Sequence, residues 1–229
     1  MYSERSEYMG VKTKEEVFAI MGKYYGNAYW REAIKYSYSE EQLLYVSEIL
    51  DKINALGYNF SNLQRLIDHE DIRFVPIILN YIRQRKWWVS SLLDALHYLS
   101  YYEYTPDLIE LYKNPDYKEY RWDLGYALLQ CRHKKFISQY LEIVNHPTYG
   151  EQEDLIMEIL CLFKVSAALP RLLELYQRYP DIWRRTLLRY GWYFKDKSIL
   201  TYIEPYLTYD DKEYRSMAKK AKEKLSIIK

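Results

Sequence analysis

Cysteine, histidine, glycine and proline are all scarce in this chain of 229 residues, which has two Cys, four His, seven Gly and seven Pro. Cys131 and Cys161 are too few for a disulfide framework, which points to a reducing compartment. His69, His97, His133 and His146 are scattered, and neither His-Glu-x-x-His nor Cys-x-x-Cys spacing occurs, so no metal site and no cofactor is expected. No Gly-rich phosphate loop, Gly-x-Ser-x-Gly elbow or kinase signature is found, which leaves a non-enzymatic role as the expectation. Charge of one sign is lacking too. The 33 Lys and Arg against 32 Asp and Glu give a net charge of +1, which removes any global electrostatic case for a nucleic-acid or membrane-surface protein. No stretch approaches about 18 uninterrupted apolar residues, and the N-terminal residues have no signal-type apolar core, so a soluble, cytoplasmic protein is expected.

What is present is a large apolar and aromatic fraction, 49% and 17%, with 28 Tyr and 6 Trp. That is enough to bury a sizeable core. Apolar residues recur at spacings of three and four, without an alternating run, which predicts an all-α chain. Helix starts are marked by Ser39 with Gln42, Ser61 with Gln64, and Thr105 with Pro106, whose side chains or ring suit the first turn. Breaks are expected at Gly57-Tyr58-Asn59, Asn114-Pro115-Asp116, Asn145-His146-Pro147 and Tyr179-Pro180-Asp181. No Ser/Gly-rich linker divides the chain, so residues 1–229 read as a single domain.

The chain also repeats itself. Pro106-Asp107-Leu108-Ile109-Glu110-Leu111-Tyr112 matches Pro170-Arg171-Leu172-Leu173-Glu174-Leu175-Tyr176 sixty-four residues later. An aromatic-Arg pair occurs at Tyr120-Arg121, Trp183-Arg184 and Tyr214-Arg215, and Phe163-Lys164 is followed by Phe194-Lys195. These markers agree on a unit of about 31 residues, each an antiparallel helix pair.

The run Ala168-Leu169-Pro170-Arg171-Leu172-Leu173-Glu174-Leu175, followed by Pro180-Asp181-Ile182-Trp183-Arg184-Arg185, resembles the HEAT-like repeat. That repeat has an A helix with an early Pro, an Asp-containing turn, and a B helix opening with an apolar residue and Arg. The resemblance covers residues 71–229 and implies an α-solenoid, with residues 1–70 as atypical N-terminal cap helices. It departs from the pattern in one unit, where Glu153 stands in the Arg place.

Aligning the B helices on Trp88, Tyr120, Gln152, Trp183 and Tyr214 fixes which positions face the core. Those four, seven, eight and eleven residues later should point inward, and those two and six residues later should line the opposite, concave face. The two outward rows read Ser90, Trp122, Asp154, Arg185, Ser216 and Asp94, Tyr126, Glu158, Arg189, Lys220. Asp94, Trp122, Tyr126, Asp154, Glu158, Arg185 and Arg189 are therefore the candidate partner-binding residues, because exposed Trp, Tyr and Arg dominate interface energetics. The sign changes along the chain as well: residues 1–115 hold 13 basic and 16 acidic side chains, and residues 116–229 hold 20 and 16.

The expected function is a protein-binding module that grips a protein partner in this groove, in its more pointed form a bacterial immunity protein neutralising a toxin. Carboxylates at Asp94, Asp154 and Glu158 would repel a phosphate backbone, which argues against nucleic acid in the middle of the groove. The alternative is a HEAT-like alkylpurine DNA glycosylase, in which concave-face Trp residues and an Asp hold a cationic damaged nucleotide. Trp87, Trp88, Asp94, Trp122 and Arg185 are its counterparts by residue type.

Overall fold

The computed structural model describes residues 39–60, 63, 66, 69–149 and 154–227. The Ser61–Gln64 cap, the Gln152 anchor and Glu153 lie outside them. Among the described residues there are eleven α-helices joined by turns and short 3-10 segments, and no strand. None of these helices is long and apolar enough to cross a membrane. The contacts divide the chain into two compact units, one ending at Ser100 and one beginning at Tyr101.

The first unit contains α1 (Glu40–Asn54), α2 (Phe74–Gln84) and α3 (Val89–Tyr98). The expected capping box opens α1: Ser39 Oγ accepts from the Gln42 amide at 3.2 Å, and Gln42 Oε1 accepts from the Ser39 amide at 2.8 Å. The helix ends at the expected break, where Gly57 takes a φ of +102°, a conformation that a side chain would strain. Ile49, Leu50 and Ile53 recur at helical spacing and are fully buried, as are Ile78 and Ile82 on α2, which packs against α1. The Tyr45 hydroxyl donates to the Tyr81 carbonyl at 2.9 Å, and the Tyr81 hydroxyl donates to Glu48 at 2.6 Å, so two core tyrosines satisfy their polar ends. Trp88 differs from its expected place as a core anchor. It is half-buried, has a left-handed φ of 64°, and stands just ahead of α3, so it marks the turn between α2 and α3.

The second unit contains α4 (Thr105–Lys113), α5 (Arg121–Gln130), α6 (Ile137–Asn145), α7 (Asp154–Leu162), α8 (Leu169–Arg178), α9 (Pro180–Tyr190), α10 (Leu200–Ile203) and α11 (Lys212–Ser226). Helix α4 packs on α5, α6 on α7 and α8 on α9, and further contacts run from α5 to α7, α7 to α9 and α9 to α11. The inward stripe is closely followed. Of the sixteen positions set by Trp88, Tyr120, Gln152 and Trp183, fourteen are buried, and Phe163 and Tyr190 are half-exposed.

Thr105 departs from its expected role as a helix cap. The helix does start at Thr105, but the side chain does not cap it: it is fully buried, and its hydroxyl donates to the Cys131 carbonyl at 3.1 Å, tying the start of α4 to the end of α5. The aromatic-Arg pairs serve as turn fasteners. Arg121 is buried, with its guanidinium 5.1 Å from the Tyr149 ring and its Nε donating to the Tyr112 carbonyl. Arg184 lies 5.1–5.5 Å from the rings of Tyr206, Tyr209 and Tyr214, and Arg215 donates to the carbonyls of Tyr209 and Asp210. The last helix starts where the Asp211 carboxylate accepts from the Glu213 and Tyr214 amides, and it buries Ala218, Ala221 and Leu225 while its lysines stay outside.

Gly125 sets how closely α5 and α7 approach. A Cβ placed there would stand 3.2 Å from Leu155 Cδ1 and 3.3 Å from Leu155 Cβ. Gly125→Val is therefore expected to cost about 1–3 kcal/mol by overpacking, read from urea denaturation. A neutral or stabilising result would mean that the α5–α7 contact yields without cost.

Candidate functional site

Residues i and i+4 of a helix share a face, and three such pairs from α5, α7 and α9 meet at one cavity of about 550 Å³ in the second unit. They are Trp122 with Tyr126, Asp154 with Glu158, and Arg185 with Arg189. Six of the seven residues singled out from the sequence thus line a common space. The seventh, Asp94, is exposed on α3 of the first unit, where its charge acts on His97.

The aromatic side of the cavity is preformed. Trp122 is 58% exposed, high for a side chain of its size, and it stacks on Tyr126 with ring centroids 5.6 Å apart and planes 23° apart. Leu129 and Leu155 add apolar wall. On the acidic side, Asp154 is held by a residue that the outward rows do not include: Thr186, buried on α9, donates its hydroxyl to Asp154 Oδ2 at 2.8 Å. Thr186 lies between Trp183 and Leu187 on the buried side of α9, where its hydroxyl needs a partner.

Glu158 is half-buried, and burial raises its carboxyl above the ordinary glutamate range. A hydrogen bond from Tyr190 and the charges of Arg189 and Arg132 oppose that rise, and Asp154 adds to it. Burial, followed by its bond to Glu158, pushes the Tyr190 hydroxyl up as well. A carboxyl with a raised folded pKa binds its proton more tightly in the native state. Native stability from this group is thus fully present below the ordinary glutamate range and falls as pH rises through the elevated value. Glu158→Gln is expected to raise the melting temperature near neutral pH, with the gap to wild type closing below about pH 4. Melts across that range check this, and a gap that widens on acidification contradicts it.

The basic side is divided. Arg185 pairs with Glu213 at 3.1 Å, and both side chains are largely exposed. Arg189 lies 5.2 Å from the Tyr190 ring. Arg132, which follows α5 and was not singled out from the sequence, also lines the cavity and donates to the Leu129 carbonyl at 2.5 Å. The site therefore offers an exposed aromatic stack, two acceptors and three guanidinium groups within one concave surface.

Cys131 and Cys161 are both buried, and burial raises both thiols, which keeps them protonated. Trp87 packs edge-on against Tyr45 at 5.5 Å and belongs to the first unit with Trp88. Comparison with models of protein families, with curated proteins and with solved structures finds no match to this chain.

Proposed function

We propose that the second unit is a short HEAT-like α-solenoid and that the chain is a non-enzymatic module that holds a protein partner in the cavity formed by α5, α7 and α9. The repeat reading is supported by the starts of α4, α6, α8 and α10 at Thr105, Ile137, Leu169 and Leu200, near the 31-residue period of the sequence markers. The observation that carries the binding reading is the exposed Trp122–Tyr126 stack at the edge of a concave surface that also presents Asp154, Glu158, Arg185 and Arg189.

A large exposed indole has unfavourable contact with water, and a partner side chain that covers it gains that area without first ordering a flexible group. The neighbouring charges contribute discrimination, because a partner with misplaced charges leaves one of them buried and unpaired. Acid and base arranged side by side suit one specific partner, as an immunity protein that neutralises a toxin requires.

The test is affinity capture with the intact chain from a lysate of the cells that make it, followed by mass spectrometry, beside Trp122→Ala/Tyr126→Ala. A single stoichiometric protein that is lost with the double variant supports the reading. Capture that ignores the aromatic pair, or material that is mainly nucleic acid with excision activity on alkylated duplex, overturns it.

A further inference from the structure

A second cavity, of about 620 Å³, adjoins the first in the same unit, and Arg189 lines both. Its wall on α11 carries Lys212 and Lys220, eight residues apart and so on one helix face. Among the described residues neither lysine makes an ion pair. The acid in this cavity, Glu213, is engaged by Arg185 at 3.1 Å. The charge left over is therefore positive.

The floor is of a different kind. Leu188 is buried, Met217 is half-buried, and the Trp192 indole is fixed in place: it stacks on Tyr193 at 3.9 Å, and its Nε1 donates to the Arg189 carbonyl at 2.9 Å. With its only donor used, Trp192 presents an apolar face to the cavity.

We propose that this second cavity takes an acidic peptide segment of the protein partner, with carboxylates facing Lys212, Lys220 and Arg189 and one apolar side chain seated on Trp192 and Met217. The inference rests on the binding-module reading and names the chemistry of the partner. The apolar floor selects a peptide over a phosphate backbone. An apolar side chain of a peptide gains by covering Trp192 and Met217, whereas a sugar-phosphate chain gains nothing from that floor. Packed helices stand about 9 Å apart. The single step from α9 to α11 is matched by about three residues of extended chain at roughly 3.3 Å each.

The probe is a fluorescein-labelled decapeptide of glutamates with one central Phe, compared with its all-Gln counterpart by fluorescence anisotropy on the intact chain. The Glu peptide is expected to bind at least tenfold tighter than the Gln peptide. Lys212→Glu/Lys220→Glu is expected to lose that selectivity, and circular dichroism should show unchanged helicity because both lysines are exposed. Should the charge reversal disturb folding, Lys212→Gln/Lys220→Gln makes the same comparison. Equal affinity for the two peptides overturns the proposal, and so does selectivity that ignores the lysine variants. Tighter binding to a 20-base-pair duplex or to phosphatidylserine vesicles, or a self-associated dimer broken by the lysine variants, overturns it in favour of another occupant. If the peptide shows no selectivity while partner capture still needs Trp122 and Tyr126, this inference alone falls. If the peptide is selective but capture ignores the aromatic pair, the wider reading falls and the ligand class of the second cavity stands.

Discussion

Trp183→Ala is expected to lower the unfolding free energy by about 3–5 kcal/mol, because it deletes the largest fully buried side chain described in the protein. Trp183 lies in the first turn of α9, the helix that packs on α8, α7 and α11, and is fully buried, so its truncation leaves a large void that close-packed surroundings fill only in part. Domains of this size have a total stability of about 5–15 kcal/mol, so at the low end of that range the variant is partly unfolded at physiological temperature. Trp183→Phe leaves most of the ring volume and should lose less than half as much. Urea denaturation followed by circular dichroism distinguishes the two, and a loss below about 1 kcal/mol for Trp183→Ala would mean that the indole is not packed as the structure has it. The same substitution removes an anchor of the helix that carries Arg185, Thr186, Arg189 and Tyr190, so partner binding should fall in step with the folded fraction and no further.

The helical core was legible because its signal is local. Leu124, Ala127 and Leu128 follow one another at helical spacing, and so do Ile156, Ile159 and Leu160. Every one of them is buried. The outward rows follow from the same geometry: once the interior positions of α5, α7 and α9 are set, Trp122/Tyr126, Asp154/Glu158 and Arg185/Arg189 fall on a shared side. Other features depend on which helices become neighbours. The Thr186–Asp154 bond joins residues 32 apart in sequence, and the Arg185–Glu213 pair joins residues 28 apart. Neither has a pattern that spacing within a single helix would reveal. Thr105 marks the start of α4 as expected, but its side chain does something other than capping for a related reason. A threonine before a proline suits a helix cap, but a carbonyl left open at the end of α5 recruits its hydroxyl into the interior. Asp94 was grouped with the others by extending the repeat register back across the boundary at Ser100, whereas the cavity is built from the second unit.

Trp122→Ala with Tyr126→Ala is expected to weaken binding of the purified partner by at least tenfold, with little change in folding. The two consequences separate because the side chains do different work in the free and bound states. In the free protein Trp122 is mostly exposed and Tyr126 is half-exposed, so truncation forfeits their mutual stacking, about 0.5–1.5 kcal/mol, and opens no sealed cavity. In the proposed complex the partner covers the same rings, where a single aromatic contributes roughly 2 kcal/mol or more. Their contacts overlap, so the two losses do not add in full, and a tenfold change, about 1.4 kcal/mol, is the floor of the expected effect. Trp122→Phe with Tyr126→Phe keeps both rings and should recover most of the affinity if apolar contact is what matters. A failure of that variant to recover would transfer the weight to the indole N–H and the phenol hydroxyl. Isothermal titration calorimetry measures the binding and thermal melts measure the folding. Affinity within twofold of wild type, with the melting temperature unchanged, would place the partner on some other face of the protein.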